Sequence, residues 1–254
     1  MARLYVVPTP IGNLEDMTFR AVRVLCEASL ILAEDTRHTR KLLTHYKIST
    51  RLQSYHQHNK VMRLDSILAR LREEDVALVS DAGTPAVSDP GYELVRAAIG
   101  AGIEVEVLPG PTALITAVVA AALPAPGFLF TGFLPRKSGD RRRRLQEIGR
   151  LPYTIVMYEA PHRVVSTLRD TLAILGDRPA VVARELTKVH QDVVRSTLAG
   201  LLDRYSREEP RGEFTLVVGC AEIGEQDRTA EALDDLRQRR LRGESGRTAV
   251  DEVA

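Results

Sequence analysis

The 254-residue chain balances 35 Lys and Arg against 34 Asp and Glu, a formal net charge of +1, and is 44% hydrophobic and 27% charged. Its length accommodates one large domain or two of ordinary size, and its composition is that of a soluble globular protein, with no apolar run near the ~18 residues of a membrane span. Cys26 and Cys220 lack the paired spacing of a disulfide framework or a zinc site, and Met1 to Pro8 carries too short an apolar run for a signal-peptide core, so a cytoplasmic location is expected.

Short β-rich runs alternate with helical patterns along the first half: strand 4–7, helix 17–28, strand 30–33, helix 37–46, strand 52–55, helix 60–72, strand 76–80, helix 92–101, strand 104–108 and helix 112–122. This rhythm predicts a parallel or mostly parallel sheet covered by helices. Leu123-Pro124-Ala125-Pro126-Gly127 cannot continue the preceding helix, because proline lacks the amide donor, and marks the end of an N-terminal α/β domain at 1–123. A second set follows: strand 128–131, a basic helical segment at 136–150, strand 153–158, helix 163–175, strand 180–184, helix 198–205 and strand 214–219. These give a C-terminal α/β domain at 124–224. From 225 to 254 charged helix formers dominate, a pattern read as a charged helical tail or small appendage in preference to a dedicated RNA-binding element.

In open α/β sheets ligands bind beyond the carboxyl ends of the strands, so the residues directly after each strand are the candidates for function. Pro8-Thr9-Pro10-Ile11-Gly12-Asn13 has two prolines and one glycine, a poor phosphate cradle beside a Gly-rich loop. Ser80-Asp81-Ala82-Gly83-Thr84-Pro85 offers a carboxylate, a small turn and a hydroxyl, which suits a polar ligand. Leu108-Pro109-Gly110-Pro111-Thr112-Ala113 turns a strand into a helix whose first amides lack intrahelical partners and point toward any ligand above them. Such turns are also ordinary punctuation, so the argument rests on their repeated placement at strand ends. The polar clusters at 34–40, 158–163 and 184–188 also follow or end apolar runs and should share this rim, with helix caps and surface ion pairs as the structural alternative. His56 and His58 have no third and fourth ligand at a recognisable spacing, so no metal is expected. Positive charge is concentrated in segment 136–150, where Arg136, Lys137, Arg141, Arg142, Arg143, Arg144 and Arg150 face only Asp140 and Glu147.

Taken in chain order, several motifs resemble those of the small-subunit ribosomal RNA 2′-O-methyltransferases of the RsmI family. They are Pro8-Thr9-Pro10-Ile11-Gly12-Asn13-Leu14, Ala33-Glu34-Asp35-Thr36-Arg37-His38-Thr39, Ser80-Asp81-Ala82-Gly83-Thr84-Pro85 with Asp89-Pro90-Gly91, and Pro109-Gly110-Pro111. Further along stand Gly132-Phe133-Leu134-Pro135, Tyr158-Glu159 with His162-Arg163, and Arg184-Glu185-Leu186-Thr187-Lys188. The resemblance covers about residues 4–219. It implies a branch of the tetrapyrrole methylase superfamily, with two α/β domains, S-adenosylmethionine bound in the cleft between them, and a homodimer. It also implies methylation of a cytidine ribose hydroxyl in the decoding centre of 16S rRNA within the small ribosomal subunit. By the same resemblance Ile11, Asp81, Gly83, Thr84, Thr112, Ala113, Met157 and Leu186 are the cofactor positions. Gln191 stands where the family often has an acidic residue, which argues against a base there, and many members continue into a longer C-terminal helical module.

Methyl transfer from a sulfonium is an in-line displacement, so the protein must chiefly align a hydroxyl with the methyl and exclude water. A ribose hydroxyl also benefits from a base. Glu185 and Glu159 are the carboxylate candidates, and Lys188 or Arg37 can hold a phosphate or stabilise developing negative charge. Lys137, Arg141, Arg142, Arg143 and Arg144 are expected to contact RNA, with a solvated helix face as the alternative. The same fold would also serve methylation of a tetrapyrrole or a protein side chain, and a scaffold without turnover would serve as an RNA-binding module.

Overall fold

The computed structural model describes residues 2–56, 60–123 and 127–220, so His58, the expected linker residues 124–126 and the expected tail at 225–254 lie outside the described residues. The first sheet contains β1 (Arg3–Val7), β2 (Leu30–Ala33), β3 (Leu52–Ser54), β4 (Val76–Val79) and β5 (Glu104–Val107), in the order β3-β2-β4-β1-β5. Every pairing in it is parallel. The apolar runs of β2 and β4 are buried at each position, as sequences covered on both faces must be.

The covering helices are α1 (Phe19–Glu27), α2 (Thr36–His45), α3 (Lys60–Arg70) and α4 (Tyr92–Gly100). Val24 and Leu25 of α1 and Leu42 and Leu43 of α2 pack with Val7, Ile31 and Val79 on one face. Ile67 and Leu71 in and just after α3, and Leu94 of α4, pack with Leu4, Leu32 and Leu78 on the other. The neighbouring strands β1 and β4 therefore send their following helices to opposite faces, which opens a crevice beyond their carboxyl ends.

The second sheet runs β6-β7-β10-β8-β9, built from β6 (Phe128–Phe133), β7 (Thr154–Glu159), β8 (Pro179–Arg184), β9 (Asp192–Thr197) and β10 (Phe214–Val218). Only β6 and β7 pair in parallel; the other pairings are antiparallel. The helices α6 (Ser138–Ile148), α7 (Val164–Leu175) and α8 (Leu198–Arg207) supply Leu145, Ile148, Val164, Leu168, Leu198 and Leu201 to the core on one face. The opposite face is covered by α5 (Ala113–Ala121), whose Ala117 and Ala121 pack against Val156, Val181, Ala183 and Val217. Thus α5, which the expected boundary leaves with the first domain, joins the two α/β domains. Among the described residues no helix is long and apolar enough to cross a membrane.

The element that sequence patterning misses is β9. It is an edge strand, half-buried or exposed along its length, so its residues Asp-Val-Val-Arg-Ser-Thr carry no apolar run.

Candidate active site

A cavity of about 490 Å³ lies between the two sheets. Its floor is set by the loops after β1, β4 and β5, as the crevice rule requires. The first two are tied by a pair of bonds in which each amide of Thr9 and Gly83 donates to the other's carbonyl at 2.9 Å. Thr9 Oγ1 donates to the Ser80 carbonyl at 3.0 Å, and Ser80 Oγ donates to that of Gly83 at 3.0 Å. Gly83 has φ of 79°, a left-handed conformation in which a side chain is strained. Gly12 is needed for a different reason: a Cβ there would come within 2.4 Å of Lys188 Cγ, where the first domain touches the turn after β8. Asn13 N donates across the same contact to Thr187 Oγ1 at 3.1 Å.

Ile11, Asp81, Gly83, Thr84, Thr112 and Ala113 all line this cavity, joined by Ala82, Ser88, Asp89, Leu114 and Ile115 from the first domain. Phe133, Tyr158, Gly212, Glu213 and Phe214 line it from the second. Thr112 caps α5 without a side-chain bond to the helix amides, and the Tyr158 hydroxyl engages Thr112 and the Leu114 amide there. Asp81 Oδ1 accepts the Asp35 amide at 3.1 Å, which fixes the start of α2 to the cavity's edge.

The wall is acidic. Asp89 accepts no hydrogen bond among the described residues, and its carboxyl is pushed up to about 7, first by burial and then by the charges of Glu34, Asp81 and Glu213. Glu34 is raised for the same reasons, burial first and Asp81 second. The loop holding Asp89 is strained, with Ala86 at φ of 66° and Ser88 at 65°; such conformations persist where surrounding structure enforces them and cluster at functional sites. Asp89 stands in the motif Asp89-Pro90-Gly91, where it reads as punctuation before α4; the proline and glycine that mark it as a turn conceal the carboxyl's role. Glu213 follows Gly212 in a connection that carries no sequence signal.

The remaining expected positions are placed differently. Met157 is fully buried among Leu145, Ile155 and Leu216, because alternation along β7 turns it to the helix-covered face and turns Tyr158 to the cavity. The side chain of Leu186 packs with Ile11 and Ala117. Neither side chain lines the cavity. Glu159 lies at the cavity, yet its buried carboxylate accepts from Thr167 Oγ1 at 2.5 Å and Ala160 N at 2.9 Å, with Arg163 Nε 3.1 Å away. These contacts hold Glu159 in place and suit a structural anchor better than a base. Glu185 Oε1 accepts from Lys188 Nζ at 2.8 Å and from Glu213 N at 2.9 Å. Burial pushes its carboxyl up, but Lys188 and the Glu213 amide prevail and hold it below its ordinary value, which makes it a weak base. Lys188 also bonds Glu213 Oε2 at 2.8 Å. Gln191 Oε1 accepts the Thr187 amide at 2.7 Å and so closes the turn that carries these residues.

In the basic segment the expectation for Arg141 requires correction. Arg141 is buried, with its guanidinium on Asp170 through Nε at 2.8 Å and Nη2 at 2.5 Å, and cannot meet an RNA phosphate. It occupies the core-facing stripe of α6 with Leu145 and Ile148. Arg142 bonds the same Asp170 at 2.7 Å, Arg143 pairs with Asp140 at 2.7 Å and Arg144 with Glu147 at 3.1 Å. Lys137, at the start of α6, is exposed. Arg37, on the first turn of α2, is exposed and bonded to Asp35 through Nε at 3.1 Å and Nη2 at 2.8 Å.

Two layered domains sharing a cavity at the strand ends define a class that comparison with known proteins identifies. Residues 3–202 match the family model of Tetrapyrrole (Corrin/Porphyrin) Methylases. Ribosomal RNA small subunit methyltransferase I of Halalkalibacterium halodurans is 50% identical over 216 residues, 85% of this chain and 75% of that protein. The Escherichia coli O157:H7 protein of the same name is 48% identical over 238 residues, 92% of this chain and 83% of its own. That of Thermotoga maritima is 47% identical over 223 residues, 87% of this chain and all of its own. Among solved structures, Thermus thermophilus uroporphyrin-III C-methyl transferase complexed with S-adenyl homocysteine superposes with a TM-score of 0.61 at 24% identity, over 86% of this chain and 97% of that one. A diphthine synthase does so with a TM-score of 0.67 at 13% identity, over 86% and 90%. The chain belongs to the tetrapyrrole methylase family and, within it, to the group of small-subunit ribosomal RNA methyltransferases I.

Proposed function

We propose that the protein transfers a methyl group from S-adenosylmethionine to the 2′-hydroxyl of a cytidine ribose in the decoding centre of 16S rRNA. The observation that carries this reading is the convergence of loops from both domains on one acid-walled cavity, in a chain of this family. The cavity suits the cofactor chemically. Ile11, Ala82, Leu114, Ile115 and Phe133 offer apolar cover, Asp81, Asp89 and Glu213 favour a cationic sulfur and bind hydroxyls, and the positive end of α5 suits a carboxylate. Bound there, S-adenosylmethionine supplies an electrophilic methyl group.

The reaction forms the oxygen–methyl bond at the ribose, breaks the sulfur–methyl bond with its electron pair left on sulfur, and releases one proton. Asp89 is the carboxylate that takes this proton and passes it to solvent, because it has no bound partner and a proton affinity matched to neutral pH. Asp81, Thr84, Thr112 and Ala113 hold and orient the cofactor, and the enclosing second domain excludes water. The Glu185–Lys188 pair sits behind Glu213 and keeps the wall in place.

The same reading puts the protein in the cytoplasm as a homodimer; Val119, exposed on α5, is an apolar side chain available for a subunit contact, which sedimentation tests. The test of the function is methyl transfer from labelled cofactor to small ribosomal subunits, followed by mapping of the modified nucleotide. Label at a cytidine 2′-oxygen is expected; label confined to a tetrapyrrole or to protein would overturn the reading.

A further inference from the structure

We infer that the exposed stripe of α2, in preference to the Arg-rich α6, carries the phosphate backbone of the RNA substrate into the cavity. This inference rests on the RNA reading above and extends it to a surface.

The helix α2 contains Arg37, His38, Arg40, Lys41 and His45 and no acidic residue. Thr39, Leu42 and Leu43 are buried on its inner side, so Arg37, Arg40, Lys41 and Thr44, at spacings of three and four residues, form a single outward stripe. These four residues line one shallow groove. The guanidinium of Arg37 is bonded to Asp35, whereas the side chains of Arg40 and Lys41 have no ion pair or hydrogen bond among the described residues. Like charges three and four residues apart weaken a helix, an arrangement that becomes favourable when a polyanion lies along it.

Position supports the same conclusion. The N-cap of α2 is Asp35, whose amide is bonded to Asp81 at the cavity's edge, so the stripe begins one turn from the candidate cofactor site and extends away by about 10 Å at 1.5 Å per residue. A strand whose ribose enters the cavity would lay its neighbouring phosphates on this helix. Phosphate contacts of this kind position the chain without reading its sequence. In α6, by contrast, each arginine of the run 141–144 already faces a carboxylate within 3.1 Å.

The test compares the full-length parent with the double variant Arg40→Gln, Lys41→Gln, and with the charge-preserving swap Arg40→Lys, Lys41→Arg. Binding to purified small ribosomal subunits is measured across a salt series, with S-adenosylmethionine binding by calorimetry alongside. The neutral variant is expected to bind subunits more weakly, with a dependence of log affinity on log salt shallower by roughly 0.7–0.9 per lost contact, while its cofactor affinity and melting temperature stay at the parent's values. The swap should retain the parent's slope. Equal affinities and slopes for parent and neutral variant would overturn the α2 assignment and leave the RNA reading standing. A parent that neither binds nor methylates subunits would overturn the RNA reading itself, and the α2 surface with it.

Discussion

Both domains pair charges, Arg3 with Glu104 and Arg70 with Glu74 in the first for example, but they differ in the charges left without partners. In the C-terminal domain the buried or half-buried carboxylates are bound to local partners: Asp170 to Arg141 and Arg142, Glu159 to Thr167 beside Arg163, Glu185 to Lys188, and Asp192 to Arg204. In the N-terminal domain Asp89 faces the cavity with no bound partner, and Arg40 and Lys41 face outward from α2. A charge buried with its partner, such as Arg141 on Asp170, has exchanged solvent for that partner and has little left to offer a ligand. Unpaired ones keep that capacity, so a count of arginines along the chain points to α6 while their environments point to α2.

If this contrast is right, the largest effect comes from the unpaired carboxyl. Asp89→Asn should lower the methyl-transfer rate by about 10²–10⁴-fold while cofactor affinity changes less, and the parent's rate should rise as pH passes through about 7, with that rise absent in the variant. The stability of the parent should move the opposite way. A carboxyl whose proton affinity is raised on folding stabilises the fold below its ordinary range, and this contribution is lost as pH rises through about 7. Thermal melts between pH 5 and 8 should therefore show the parent losing more stability than the variant. A variant with the parent's pH–rate profile would remove Asp89 from the chemistry.

Breaking a paired group should instead damage the fold. Asp170→Ala strands the buried guanidinium of Arg141 and should cost about 3–5 kcal/mol in denaturant unfolding. Burial raises the Asp170 carboxyl, but Arg142, Ser138 and Arg141 outweigh it and hold it below its ordinary value. The pair's contribution is therefore present above that ordinary value and lost as pH falls through the depressed one. A smaller loss than about 1 kcal/mol would mean that Arg141 finds water or another acceptor.

Asp81 tests the boundary between the two kinds of site, since it both lines the cavity and accepts the Asp35 amide. Asp81→Ala should weaken S-adenosylmethionine binding by about 1.5–3 kcal/mol, the range for one charge-assisted hydrogen bond, and calorimetry reads it directly. Unchanged affinity would detach this loop from the cofactor.

The legibility of these features in the sequence follows the same division. Strands buried on both faces, such as β2 and β4, announce themselves as apolar runs, and the loops holding Asp81, Thr84 and Thr112 are found by their position after such runs. The strand β9 is silent because an edge strand needs no apolar pattern. Arg141 misleads because a charge buried by a partner nearly thirty residues away looks, in sequence, like any solvated arginine. Asp89 is hidden for the converse reason: its proton affinity comes first from burial and then from Glu34, Asp81 and Glu213, all of which only folding brings about.

The smallest expected effect is the sharpest on the two basic helices. Arg143 and Arg144 are exposed like Arg142, but each is in a surface pair with an acid three residues away along the helix. Surface pairs contribute about 0–1 kcal/mol, since solvent screens them and ordering two long side chains offsets the attraction, so Arg143→Ala with Arg144→Ala should leave unfolding nearly unchanged. Removing both also frees Asp140 and Glu147, which adds negative charge to that face. If RNA ran along α6, the variant would lose affinity steeply and its salt dependence would become shallower by the same roughly 0.7–0.9 per contact. If RNA runs along α2, the small-subunit affinity should fall only slightly, through the longer-range change in potential, and the salt slope should match the parent's. A shallower slope for the α6 variant, set beside an unchanged slope for Arg40→Gln, Lys41→Gln, would reverse the assignment of the two helices.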